Sequence, residues 1–193
     1  MARAGLSRDQ VVCAAAEYVD AQGCDRLTIT AVADRVGVRP PSLYKHIENL
    51  DDLRFAISAF AYRELERRLR AAIEGTDRPL VDFAYAYRRF AHDRPGLAAT
   101  TGRSLPGYEE QLRELEAAAL EPLLRLIYRH GIRDDRGIHV ARFVRSALHG
   151  FVTIEAASGF RLPESIDESF TSAIDALDLV LTRSCLRRQF LCG

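Results

Sequence analysis

The chain has 193 residues, 48% of them hydrophobic, and its 27 basic and 27 acidic side chains leave no formal net charge. That length can bury one good core, or a small domain beside a larger one, and the charge balance argues against a protein that coats nucleic acid nonspecifically. No stretch approaches the roughly 20 consecutive apolar residues of a membrane span, and the opening MARAGLSRDQ lacks a basic and apolar leader, so a cytoplasmic protein without a membrane partner is expected.

In chain order the pattern is helical throughout, with no period-2 alternation and no internal repeat. A first helix starts at Ser7, where Ser7 and Gln10 form a capping box. Its buried face reads Val11, Val12, Ala15 and Val19, and Gly23 ends it. A second, short helix carries Ile29, Val32, Ala33 and Val36 at the i, i+3, i+4, i+7 spacing of one face. Thr28 is its candidate N-cap, and Gly37 supplies the residue that tolerates positive φ where it stops. Pro40 and Pro41 then sit in the first turn of a third helix, where backbone N–H groups have no intrahelical partner.

That third helix is about two turns long and exposes Ser42, Tyr44, Lys45 and His46. A helix so short and polar stores little stability alone, so its surface chemistry is the reason for its existence. Two short helices joined by a tight turn in this way form a helix-turn-helix, which places its second helix in the DNA major groove. From Arg35 to Ile47 the basic residues are Arg35, Arg39 and Lys45, with no carboxylate among them. That surface is locally positive, although residues 1–50 are balanced as a whole.

A long helix follows from about Asp51 to Ile73, its two leading aspartates favourable at a helix N-terminus. Its apolar stripe is Leu53, Ile57, Phe60, Leu65, Leu69 and Ile73. The Gly75–Pro79 segment breaks the pattern and marks a domain boundary. Further helices are expected at Leu80–His92, Pro95–Thr101 and Leu105–His130, the last kinked or split at Pro122 because proline deletes a backbone hydrogen bond. Asp135–Ala157 and Ser165–Ser184 carry the cleanest stripes, Val140 to Val152 and Ile166 to Leu181, each wide enough for a core on one side and a partner on the other.

The resulting division is a helix-turn-helix domain at 1–50, a connecting helix at 51–74, a second helical domain at 75–184, and a tail at 185–193. Cys13, Cys24, Cys185 and Cys192 lack any metal-ligand spacing and read as reduced thiols. Cys13 is placed beside the first helix's apolar face as a small core residue, and Cys192 in an exposed tail. No cofactor or metal is implied.

The segment Leu27–Leu53 closely resembles the N-terminal domain of TetR-family transcriptional regulators. The family's run is matched by Thr28, Val32, Ala33, Gly37 and Val38, and its L-Y-x-H ending by Leu43, Tyr44, Lys45 and His46. Ala86–Leu97 and Ala147–Phe160 are similar to the C-terminal domain of the subgroup named for a Trp-His-Gly signature, with Leu148 standing where that signature has Trp. The resemblance implies an all-α protein: a three-helix DNA-binding domain, then a helical ligand-binding domain whose last two helices pair with their copies in a homodimer. It also implies a repressor released from a near-palindromic operator by a small molecule.

Carried over residue by residue, Thr28 contacts a phosphate and Thr30 reaches the groove edge. Pro40, Pro41 and Ser42 face the bases, the prolines through thymine methyls. Arg39 grips guanine or a phosphate. Tyr44, Lys45 and His46 lie along the backbone, with interhelical packing the alternative for Tyr44 and a structural role the alternative for His46. The family's lysine at the start of the next helix is Leu50 here, which removes one charge from the interface.

For the effector, Phe83, Tyr87, Phe90, Tyr108, Leu112, Phe143 and Phe151 could line a largely apolar site, or could simply be core. His149 and Glu155 are the polar residues able to orient a ligand, with a satisfied core histidine and an arginine pair across the dimer as the plainer readings. An enzyme is not expected, since no nucleophile elbow, phosphate loop or metal spacing is present. A helical interaction or ligand-binding protein without specific DNA binding is the remaining alternative.

Overall fold

The computed structural model describes residues 6–189, with side chains described up to Leu179 and at Leu181. The predicted tail is therefore largely beyond description: the side chain of Cys185 and all of Cys192 lie outside the described residues. Among those described, the architecture is all-α, with helices α1 (Arg8–Gln22), α2 (Ile29–Val36), α3 (Pro40–Leu43), α4 (Leu50–Ala72), α5 (Pro79–Asp93), α6 (Pro95–Ala98), α7 (Glu109–Arg129), α8 (Asp134–Ala156) and α9 (Ile166–Gln189). A single 3-10 turn, Cys24–Arg26, joins α1 to α2.

Local chemistry sets these boundaries. Ser7 Oγ accepts from Gln10 N–H at 3.2 Å while Gln10 Oε1 accepts from Ser7 N–H at 2.9 Å, which satisfies two orphan donors of α1. Gly37, at φ 71°, ψ 34°, ends α2 in the left-handed region, and Val38 N–H donates back to Ala33 O at 3.0 Å. At α4 the cap is Asn49, whose Oδ1 accepts from the N–H groups of Asp51 and Asp52, each at 2.9 Å. Pro122 lies inside α7 without splitting it. The helix continues past the missing hydrogen bond, with Leu123, Leu126 and Ile127 buried along it.

Contacts divide the molecule into two units, Met1–Glu64 with Asp93–Ala117, and Leu65–His92 with Ala118–Gly193. In the N-terminal unit, Val11, Ala15, Ala16 and Val19 of α1 are fully buried, as are Val32 and Ala33 of α2, Leu43 of α3 and Leu53 of α4. Each fully buried leucine or valine contributes about 1.5–3 kcal/mol. Cys13, expected in this core, is instead exposed, because its neighbours Val12 and Ala15 occupy the inner face and a helical step of about 100° turns position 13 outward.

Helix α6 belongs to the same unit and sits directly on α1. A Cβ at Gly96 would fall 2.2 Å from the carbonyl oxygen of Val19, so only glycine permits the approach. Asp20 secures it, accepting from Leu97 N–H at 2.9 Å and pairing with Arg94 at 2.5 Å. Tyr62 Oη accepts from Gly102 N–H at 2.9 Å and ties the following loop to α4.

In the C-terminal unit the core is Leu65, Leu69, Leu80, Phe83, Phe90, Leu123, Ile127, Leu148, Phe170 and Ile174. The stripes of α8 and α9 divide by face. Val144, Leu148 and Val152, with Phe170, Ile174, Leu177 and Leu181, are buried within the protomer. Phe143 and Ile154 on α8 and Leu179 on α9 are exposed, with Ala147 exposed between the first two. The apolar surface available to a partner is thus Phe143 and Ala147 of the α8 stripe, with Ile154 and Leu179, which lie outside the stripes read from the sequence.

Candidate nucleic-acid interface and effector site

The helix-turn-helix is built from α2 and α3. Thr28 caps α2, its Oγ1 accepting from Ala31 N–H at 3.1 Å. The hydroxyl proton is then left to donate outward. Arg39 is the N-cap residue of α3 in extended geometry (φ −77°, ψ 145°), as the residue before a proline prefers. Pro40 and Pro41 fill the first positions, where a missing N–H costs nothing. The helix is shorter than the two turns expected. It ends at Leu43, and His46 N–H and Ile47 N–H both close back on Leu43 O, at 2.8 and 3.0 Å. A fully buried Leu43 and a buried Ile47 anchor this turn from below.

What the turn presents is polar. Thr28, Thr30, Arg39, Pro41 and Lys45 are exposed, Pro40, Ser42 and His46 are half-exposed, and Tyr44 is 56% exposed. Tyr44 therefore does not pack between helices. Arg35, counted in the positive surface by sequence, is held by Glu17 at 2.8 Å. Arg39 and Lys45 have no ion pair among the described residues, so they carry the available positive charge of the motif.

Behind the turn stands a connection that the sequence did not disclose. Arg8 donates to both carboxylate oxygens of Asp52, at 2.6 and 3.0 Å, and to His46 O at 2.5 Å. Asp52 also accepts from Glu48 N–H at 2.9 Å. Its carboxyl is held below the usual range, chiefly by the Arg8 hydrogen bonds and then by the Glu48 N–H, against the opposing effect of burial. Asn49 ahead of Leu50-Asp51-Asp52 was a readable cap signal; nothing in the sequence linked Arg8 to a residue 44 positions away.

In the C-terminal unit, Phe83, Tyr87 and Phe90 of α5 are buried. Tyr87 Oη lies 3.1 Å from His149 Nδ1 on α8, and burial, followed by the nearby Arg145, lowers the His149 pKa from its ordinary value. A neutral imidazole accepting the Tyr87 proton fits that shift. Phe151 packs against Phe160 and Phe170, ring centroids 4.8 and 5.0 Å apart. Glu155 is taken by Arg88, Nε to Oε2 at 2.9 Å and Nη2 to Oε1 at 2.5 Å, with His92 Nε2 3.2 Å away. Its arginine partner thus comes from its own chain. Phe143 is 57% exposed. Tyr108 and Leu112 belong to the N-terminal unit, where Tyr108 stacks on Phe55 with centroids 4.5 Å apart.

Residues 80–177 match the family model described as "Tetracyclin repressor-like, C-terminal domain". The HTH-type transcriptional regulator Rv0681 of Mycobacterium tuberculosis, itself uncharacterized, is 34% identical over 79% of this chain and 71% of its own.

This chain belongs to the TetR family.

A second uncharacterized relative, the HTH-type transcriptional regulator YobS of Bacillus subtilis, is 30% identical over 89% of this chain and 91% of its own. Among solved structures, a TetR variant from Acinetobacter baumannii AYE in complex with minocycline has a TM-score of 0.70 at 24% identity, covering 94% of this chain and 99% of that one. The likeness to that structure concerns fold. Like its relatives, this TetR-family chain is an HTH-type transcriptional regulator, and α2–α3 is its helix-turn-helix. No helix among the described residues is long and apolar enough to cross a membrane.

Proposed function

We propose that this regulator is a cytoplasmic homodimeric repressor that binds a near-palindromic operator through α3 and leaves it when a small, largely apolar ligand occupies the C-terminal unit. The observation that carries the DNA half is the α3 turn: anchored through Leu43 and Ile47, it offers Arg39, Tyr44 and Lys45 outward with both cations uncommitted. Such a turn meets the groove edge with its first residues and the phosphates with its last. Thr28 and Thr30 of α2 join Pro40, Pro41, Ser42 and His46 in the footprint. With few cations available, affinity is modest, and its fall with salt is set by the few phosphates they neutralise.

The dimer is supported by the exposed apolar stripe of α8, Phe143, Ala147 and Ile154, alongside Leu179 on α9. The effector reading rests on Phe83, Tyr87, Phe90 and Phe151 with His149 as the polar group, Glu155 being committed to Arg88. By function, the chain divides into a DNA-binding head (1–50), a connecting helix (51–74), an effector and dimerisation body (75–184) and a tail (185–193). The resemblance of Ala86–Leu97 and Ala147–Phe160, with Leu148 in place of the signature's Trp, supports a body of the Trp-His-Gly subgroup.

The test is fluorescence anisotropy with DNA from upstream of the protein's own gene, titrated at several salt concentrations. Saturable binding that beats scrambled DNA by about a thousandfold or more supports the reading. Equal affinity for both sequences would leave a helical protein without specific DNA binding.

A further inference from the structure

Wholly within the N-terminal unit, the 3-10 turn, the first turns of α4 and the loop after α6 enclose a cleft of about 290 Å³. Its floor is apolar: Val19, Leu27 and Ile57 are buried to 3% exposure or less. Leu105 and Pro106 form one side. Two buried hydroxyls, Ser58 and Thr100, line the wall. Thr100 donates to Leu97 O at 2.7 Å, which leaves its oxygen able to accept.

Four charges stand among the lining residues. Arg54 pairs with Asp51 at 2.9 Å and Arg103 with Asp25 at 3.2 Å. Both pairs face solvent, the two arginine side chains being 42% and 51% exposed. Exposed pairs of this kind contribute little to stability, so all four groups can exchange partners at small cost.

This arrangement selects by charge. A simple anion gains the arginines and meets the aspartates, and a simple cation meets the reverse. A molecule bearing a carboxylate and an ammonium at one end satisfies both signs, with charge-assisted hydrogen bonds to each. An apolar remainder then covers the floor and gains by leaving water. The cleft has room for about ten water-sized groups, at roughly 30 Å³ each. We propose that it binds a small zwitterion with an apolar body, of the chemistry of a branched-chain or aromatic amino acid. This site is separate from the effector site proposed in the C-terminal unit, and its occupation does not depend on the DNA reading.

Its position gives occupation a consequence. Leu27 immediately precedes the Thr28 cap of α2, and Asp51 lies in the first turn of α4, so a ligand here touches both flanks of the helix-turn-helix. If it favours one arrangement of those flanks, operator affinity shifts roughly 5- to 150-fold.

Isothermal titration of the full chain with L-leucine and L-phenylalanine tests the proposal. Three probes, each lacking one feature, run beside them: 4-methylpentanoate without the ammonium, 3-methylbutylamine without the carboxylate, and glycine without the body. Saturable binding of an amino acid, about tenfold or more tighter than all three, is expected. Arg103→Gln and Asp25→Asn should each weaken it by a similar factor with unchanged thermal midpoints; should Arg103→Gln misfold, Arg54→Gln takes its place. The proposal is overturned by no heat from either amino acid at about 10 mM, by single-charge analogues that bind equally well, or by folded variants that bind like the parent.

Discussion

Arg8 and Asp52 face each other across the head of the molecule, both carboxylate oxygens receiving a guanidinium nitrogen, while the same arginine donates to the carbonyl of His46. One side chain thus joins the start of α1, the end of the recognition turn and the first turn of α4. The consequence is positional: the direction in which Tyr44, Lys45 and His46 leave the surface depends on a residue that need not touch DNA.

Arg8→Gln should therefore weaken operator binding although it leaves every exposed residue of α3 in place. Because Asp52 is buried and Arg8 half-exposed, the stability cost is put at about 1–2 kcal/mol, the lower part of the range for charge-assisted hydrogen bonds. Urea denaturation and anisotropy on the same variant separate the two effects. An Arg8→Gln protein that bound operator like the parent would remove the positioning role.

At the recognition turn, Lys45→Ala should lower affinity for all sequences about equally and flatten the salt dependence by about one phosphate contact. Arg39→Ala should do more, costing about 1–3 kcal/mol and relaxing base preference at one position if that side chain reads guanine. Binding to a set of singly substituted operators distinguishes the two. Two variants that held DNA like the parent would misplace the interface.

For the dimer, the exposed face of α8 and α9 is the place to intervene. Phe143→Glu or Leu179→Glu should give a folded monomer in analytical ultracentrifugation, since both positions are open in the protomer. Leu177→Glu should instead lower thermal stability sharply, because it buries an unpaired carboxylate. Dimers unaffected at Phe143 and Leu179 would put the interface on another surface.

The effector reading can be probed without disturbing the core. Tyr87→Phe keeps the ring and removes only the hydroxyl facing His149, so it should change the response to ligand while leaving operator affinity without ligand nearly unaltered. The cost in stability should be about 1 kcal/mol, that of one hydrogen bond. A parallel loss of DNA affinity in the ligand-free variant would contradict this separation.

Stability should depend on pH through His149. Its folded pKa is lowered, so the unfolded chain binds the proton more readily. The associated stability is fully present above about 6.5, the ordinary histidine value, and is lost as pH falls toward the folded value. Asp52 and Glu155, also lowered through their arginines, add stability above about 4 that is lost in stronger acid. Between pH 7.5 and 5.5, His149→Gln should thus show a shallower decline in melting temperature than the parent. Identical slopes would assign the decline to other groups.

Local rules made much of this legible in one dimension. The Ser7–Gln10 box, the Thr28 cap, the left-handed Gly37 and the paired prolines each act within a few residues, and the structure keeps all four. The 3.6-residue period likewise identified the helices and most buried positions. Where periodicity was ambiguous, tertiary packing decided. Cys13 lies next to an apolar stripe yet turns outward, and the broad stripes of α8 and α9 split into a buried face and an exposed one. Period alone cannot tell which side meets its own core. Charge was the least legible property. The pairing of Arg35 with Glu17, Arg8 with Asp52 and Arg88 with Glu155 depends on distances across the folded chain. A count of nearby charges therefore overstated the free positive surface of the motif and left Glu155 without its partner. The cleft beside Leu27 has the same origin: its floor and its four charges come from segments far apart in sequence, and only folding sets them side by side.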